Sequence, residues 1–274
     1  MAVTRTAKGT TSDKISGTTL TLSSISCTIG DALIVFVANQ TTNVPTSVKW
    51  GVRDLVLSRQ RTNATSGHVA SIWIARHIVN TATRNITVTW GTSIVAKAMA
   101  ASTLDAGHVR DSVIGASQTA STAPSVGPSD TLTVNDCFAF GVLASEGPSS
   151  DTAPTLSGSW SSGQRIGTAG VPPISNITLL ECYQQLSDNT AVTLSGTGAT
   201  ERDWANVLVV YRPIREAIAI DVNGVEILVD DTVIYEGSNT STVSSIHNSP
   251  GHPFVKITLA NGLVYNAHTL EVVG

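Results

Sequence analysis

Apolar positions along this chain come in short runs, and two of those runs are nearly unbroken. The first follows a Gly30-Asp31 turn pair: Ala32-Leu33-Ile34-Val35-Phe36-Val37-Ala38, closed by Asn39 and Gln40. A run of this length, rich in β-branched and aromatic residues and lacking alternation, predicts a strand buried on both faces. The second, Asn135-Asp136-Cys137-Phe138-Ala139-Phe140-Gly141-Val142-Leu143-Ala144-Ser145, has the same shape at an offset of 105 (135 − 30).

Other segments alternate. Leu20, Leu22 and, after a slip, Ile25 predict a strand over 18–26 with one buried face, and Arg84 to Gly91 keeps a clean period of two. Ser47–Gly51, Leu55–Arg59 and His68–Val79 are further strand candidates. Ile94 to Ala106 is rich in alanine and by propensity suits a helix. The second half of the chain argues for a strand there instead. Ile86–Thr89 matches Val192–Ser195 at 106, Ile72–Val79 matches Leu179–Leu186 at 107, and the alanine-rich segment then falls on the strand-like Trp204–Tyr211. Repeated offsets predict two equivalent halves, built either as one jelly-roll-like sandwich or as two tandem sandwiches; the absence of a linker favours the single sandwich. Residues 107–130 are polar and read as loop.

Arg212-Pro213 ends this body. Beyond it, Asn223-Gly224 and Asn261-Gly262 each sit between apolar arms, a type I′ hairpin signal, and five or six short strands predict a small SH3-like barrel. Residues 1–17 hold nothing apolar to pin them and read as a flexible arm that gains order only against a neighbour. The expectation is therefore an all-β chain: arm 1–17, sandwich 18–213 with an internal pseudo-repeat, barrel 214–274.

Charge sharpens that division. Residues 1–213 hold 14 Lys/Arg and 13 Asp/Glu, a net +1, whereas 214–274 hold two against seven, a net −5. So acidic a module is a poor partner for phosphate, which predicts no nucleic acid as a ligand. No run reaches the roughly 18 apolar residues of a membrane helix, so no membrane partner is expected. No apolar segment follows Arg5, Lys8 and Lys14, so no secretory signal is read and a chain made in a cytoplasm is expected. Cys27, Cys137 and Cys182 are odd in number and far apart, the pattern of buried free thiols.

Candidate chemistry is sparse. His247 and His252 share a loop but bring no acidic or thiol co-ligand, so no metal is expected. Asp105, Asp111, Glu146, Asp151, Glu201 and Asp203 are the carboxylates that a glycosidase-type pair would draw on, yet they lie in or beside Ser/Gly loops or at strand starts, where solvated acids are common. Trp73 and Trp204 fall inside strands and read as core, while Trp90 and Trp160 adjoin turns and are candidates for stacking on a sugar. Gly141 and Gly196 interrupt strand patterns and mark close packing or bulges. No catalytic residue, cofactor site or metal site is assigned.

The strands Ala32–Ala38 after Gly30-Asp31, Ser71-Ile72-Trp73-Ile74, Ile86-Thr87-Val88-Thr89-Trp90 and Ala205–Pro213 together resemble the jelly-roll-like β-sandwich virion proteins of tailed bacteriophages. The resemblance implies a structural, non-enzymatic protein of the phage particle, foremost a capsid decoration or cement protein. It implies the major capsid protein or other virion proteins as partners and assembly into homo-oligomers, with trimers guessed from shell geometry. The alternative it leaves is a tail or baseplate adhesin that binds host surface glycans.

Overall fold

The computed structural model describes residues 3–105, 108–172, 175–213, 232–235, 239–248, 255–261, 263–266 and 271–272. They form 22 β-strands and no α-helix, in antiparallel sheets. The chain divides into two compact units, Met1–Pro213 and Ile214–Gly274.

In the first unit each half builds one five-stranded sheet and one smaller sheet. The first half orders β1 (Arg5–Asp13), β9 (Lys97–Leu104), β3 (Ala32–Asn39), β7 (His68–Ala75) and β6 (Val56–Asn63). Its smaller sheet orders β2 (Gly17–Cys27), β8 (Ala82–Ile94), β4 (Pro45–Trp50) and β5 (Arg53–Asp54). The second half orders β10 (His108–Ser121), β17 (Arg202–Pro213), β12 (Phe138–Ser145), β15 (Thr178–Gln185) and β14 (Ser161–Gly167). Beside it lie β11 (Ser125–Val126), β16 (Leu194–Thr197) and β13 (Thr155–Leu156). Position by position, the order β1-β9-β3-β7-β6 repeats as β10-β17-β12-β15-β14, and β2-β8-β4 repeats as β11-β16-β13.

Three apolar cores separate four layers of sheet. Leu33, Val35, Val37, Trp73 and Met99 pack on Leu20, Leu22, Val48, Ile86, Val88 and Trp90 of the smaller sheet. Ala139, Leu143, Cys182, Leu208 and Val210 pack likewise on Val126, Leu194 and Trp160. Between the two five-stranded sheets, Ile34, Phe36, Ala70, Ile72, Ala98 and Ala100 meet Phe138, Phe140, Val142, Leu179, Val207 and Tyr211. Both faces of β3, β7, β9 and β12 are therefore covered, and all eight residues of each are buried. That is why these strands lack alternation, whereas β2 and β8, with one side in solvent, keep it. In the shared core Phe36 and Phe140 lie 5.5 Å apart at 56°, and Phe138 and Phe140 lie 4.9 Å apart. Tilted aromatic pairs of this kind add about 0.5–1.5 kcal/mol beyond area burial.

Several expectations change. The single sandwich becomes two sandwiches packed back to back, joined by the third core. The offset of the central strand shifts by one. Ile34 pairs with Ser102 and Phe140 with Val209, so with Ser102 and Val209 taken as equivalent (209 − 102 = 107), Ile34 and Phe140 are too (140 − 34 = 106). An offset of 105 would align Ile34 with Ala139, which faces the other core; with a side-chain period of two, one residue of slip exchanges the faces. The alanine-rich segment is strand β9, as its match to Trp204–Tyr211 implied; its small side chains let two sheets close on both of its faces.

The arm expected over 1–17 is not loose. Residues 5–13 are the edge strand β1, laddered along β9. Its equivalent in the second half, β10, runs for 14 residues through the segment that read as loop. Both strands are polar because each lies at a sheet edge and is held mainly by its backbone ladder.

Leu194 explains Gly141: a Cβ at that position would collide with the Leu194 Cδ2. The second unit shows a five-stranded antiparallel sheet, ordered β21 (Val264–Asn266), β20 (Val255–Leu259), β19 (Asn239–Asn248), β18 (Thr232–Tyr235), β22 (Glu271–Val272), in which the last strand crosses to pair with β18. Strands β20 and β21 form the hairpin expected around Asn261, whose side chain accepts the Leu263 N–H at 3.1 Å. The Asn223-Gly224 hairpin lies outside the described residues.

Candidate functional site

The tryptophans proposed as a sugar platform are not on the surface. Trp90 is 1% exposed and donates its indole N–H to Asn39 Oδ1 at 3.1 Å. Trp160 is 8% exposed and donates to the Thr193 carbonyl at 2.8 Å. Trp50, Trp73 and Trp204 are buried too, each with its N–H spent on an oxygen of the protein. Proximity to a Gly/Ser segment is a poor guide here: Trp90 lies inside strand β8, which runs on through Gly91 to Ile94, and both rings belong to the cores between the sheets.

The candidate carboxylates separate into anchored singles and one cluster. Asp105 accepts the Thr4 N–H, and Asp111 accepts both the backbone N–H and the hydroxyl of Thr133. Glu201 is exposed. Glu146, Asp151 and Asp203 converge around Arg202 at one end of the second half. Arg202 Nε lies 2.8 Å from Asp151 Oδ2, Asp203 accepts the Ala120 N–H at 2.8 Å, and the Glu146 N–H bonds the Asp203 carbonyl at 3.1 Å. Burial and then the neighbouring Asp203 raise the pKa of Glu146. Arg165 reaches into the same end and donates to the carbonyls of Ser149 and Asp151, both at 2.7 Å. The cleft lined by Asp151, Arg165, Arg202 and Trp204 has a volume of about 20 Å³, room for roughly one water. The cluster is thus a set of loop clamps.

All three cysteines are free and buried, as the spacing implied. Desolvation raises the Cys27 thiol to about 11 and holds the Cys182 thiol well above its ordinary range, so neither is a thiolate near neutrality. Among the described residues no group of three or more His, Cys, Asp or Glu side chains is arranged to hold a metal. His247 falls on β19, while His252 lies outside the described residues. No helix of the described residues is long and apolar enough to cross a membrane.

The most concentrated polar chemistry lies where the halves meet, at residues that the sequence did not single out. Glu181, fully buried on β15, accepts Arg5 Nε at 2.8 Å and Nη2 at 2.7 Å, the Ser102 hydroxyl at 2.7 Å and the Gln164 N–H at 3.1 Å. The Arg5 guanidinium also stacks 4.5 Å over the Tyr183 ring. A Cβ on Gly163 would stand 2.7 Å from the Glu181 carboxyl carbon, so glycine there leaves room for the acid. Away from the junction, within the first half, Lys97 is also fully buried and donates to the carbonyls of Ile15 at 2.7 Å and Ile94 at 2.9 Å, with Asp13 3.7 Å away. His68 bonds Ser66 through Nδ1 at 2.7 Å and the Ala144 carbonyl of the other half through Nε2 at 3.3 Å. Burial pulls its pKa down to about 4, so the ring is neutral and donates from Nε2. One signal in the sequence pointed here: a lone charge inside an apolar strand, as in Leu180-Glu181-Cys182 and Ala96-Lys97-Ala98.

The molecule so defined is an all-β protein of two fused, pseudo-equivalent sandwiches followed by a small β unit. Searched against protein-family models, curated proteins and solved structures, the chain matches none.

Proposed function

We propose that the protein is a structural component of a tailed-bacteriophage particle, foremost a capsid decoration protein that works through surface contacts and not through catalysis. The observation that carries the reading is where the resemblance lies. The strands Ala32–Ala38, Ser71–Ile74, Ile86–Trp90 and Ala205–Tyr211 are the ones that line the three cores, so what resembles virion sandwiches is the framework itself. The buried Arg5–Glu181 pair, the Lys97 clamp and the clamps around Arg202 likewise invest charged side chains in holding the body rigid. A jelly-roll-like description of the large body and an SH3-like one of the C-terminal unit belong to the same proposal, as do virion partners, symmetric clusters of copies and location on the particle. The adhesin alternative loses the two residues it was built on, since Trp90 and Trp160 are interior.

Quantitative mass spectrometry of purified particles, paired with electron cryomicroscopy of the shell, tests the reading. Copy number in proportion to the capsid lattice is the expected result. A few copies confined to the tail tip would favour an adhesin instead. Absence from particles, together with cleavage of a polysaccharide by the purified chain, would overturn it.

A further inference from the structure

The pseudo-equivalent halves meet along two seams, one where β1 faces β14 and one where β6 faces β10. The seams are themselves equivalent. Arg5 pairs with Leu104 and Arg110 with Tyr211, so Arg5 and Arg110 hold matching places on the two edge strands. At the first seam the arginine is neutralised inside the protein, by Glu181. At the second it is not. Arg110 donates to the Ser58 carbonyl at 3.2 Å, and Arg61 donates to the Ser117 hydroxyl at 3.0 Å. Arg59 lies alongside, its Nε close to Gly115 on β10, as is the Arg61 Cβ. The Arg76 backbone joins the same seam through His108, and its Nε is buried with no hydrogen-bond partner. Among the described residues none of Arg59, Arg61, Arg76 and Arg110 has a carboxylate partner.

Charge is divided unequally between the halves as well. Residues 1–105 carry ten Lys/Arg and four Asp/Glu, a net +6; residues 106–213 carry four and nine, a net −5. On the acidic half, Asp130, Asp136 and Asp188 are exposed on adjoining loops, tied together where the Leu132 N–H meets the Asn189 carbonyl at 3.0 Å and the Leu186 N–H meets the Cys137 carbonyl at 2.8 Å.

We propose that the arginine seam between β6 and β10 is a docking surface whose occupant is the acidic second half of another copy of this chain. Charge complementarity argues for a second copy over a phosphate polymer. The chain carries its own surplus of carboxylates opposite its own surplus of guanidinium groups, and its overall charge of −4 repels a polyanion at long range. Contacts between exposed arginines and aspartates are screened by salt, so the association is a low-salt one that strengthens when many copies are held on a common lattice. The proposal does not depend on the virion reading, because it is decided on the free protein in solution.

Sedimentation velocity of the full chain over a concentration series, at about 50 mM and about 500 mM NaCl, reads it directly; association should weaken by at least about tenfold at the higher salt. R59E/R61E should remain monomeric at low salt, and so should D130K/D188K; all four side chains are exposed, and the melting profile of each variant, recorded alongside, separates a lost contact from a lost fold. Mixing the two variants should restore a complex, since each supplies the charge that the other lacks. Two results overturn the proposal: a wild-type chain that is monomeric at low salt, or association indifferent to the charge reversals, which would leave the arginines as guards of a sheet edge. Capture of an oligonucleotide by the wild-type but not by R59E/R61E, with no self-association, also overturns it and makes the seam a phosphate site.

Discussion

The two seams of the large body have the same backbone and opposite electrostatics. At the β1–β14 seam a carboxylate from the middle of an apolar strand is buried against a bidentate arginine, with a hydroxyl and a backbone N–H completing its shell. At the β6–β10 seam, among the described residues, no carboxylate meets the arginines: Arg110 reaches the Ser58 carbonyl and Arg61 the Ser117 hydroxyl. The acid and base of the closed seam come from separate halves, and removing either leaves the other as a buried unpaired charge. The open seam holds no such pair among the described residues and is free to face a partner.

That comparison can be broken from the core outward. A charge in the core that both seams flank should have the largest effect. Phe140→Asp places an unpaired carboxylate among Phe36, Phe138 and Tyr211 and should cost roughly 5 kcal/mol or more, enough to lose the cooperative melt of the large body. Urea unfolding followed by tryptophan fluorescence measures it, and a loss below about 2 kcal/mol would mean that the halves do not share this core.

Next comes the closed seam. Glu181→Ala should destabilise by about 3–5 kcal/mol because it strands Arg5, while Arg5→Leu combined with Glu181→Leu should cost much less than the sum of the single changes. Additive costs in that double-mutant cycle would show that the pair does not couple the halves.

Third is the histidine that crosses between them. His68 binds a proton readily when unfolded, near its ordinary pKa of 6.5, but in the fold only near 4. The unfolded state therefore takes up a proton that the fold refuses, so stability is full above about pH 6.5, falls as pH drops toward 4 and levels below it. The total approaches about 3 kcal/mol. His68→Gln should flatten that part of the stability–pH profile, and an unchanged slope would remove His68 as its source.

The smallest effect belongs to the open seam. Arg61→Ala and Arg110→Ala should each change monomer stability by less than about 1 kcal/mol, since exposed arginines with neutral partners contribute little to folding. A cost near that of Glu181→Ala would make the two seams alike and refute their contrast.

Much of this architecture was legible in the pattern of apolar residues. The unbroken runs at Ala32–Ala38 and Phe138–Ala144 did mark strands covered on both faces, the alternating run at 84–91 did mark a strand of an outer sheet, and the repeated offsets did mark two halves. Burial on two faces removes alternation from the sequence itself, so those features need no partner to be read. The edge strands β1 and β10 were not legible, because an edge strand is held by backbone hydrogen bonds that leave no side-chain signature, and polar residues serve there as well as apolar ones. The stacking of two sandwiches was not legible either: an apolar face records that it is covered, not by what. The same holds for Trp90 and Trp160, whose rings face cores that only the packing of one sheet on another creates, and for the two seams. Arg5 and Glu181 stand 176 residues apart, and their pairing exists only because tertiary docking of the halves brings one sheet edge against the other.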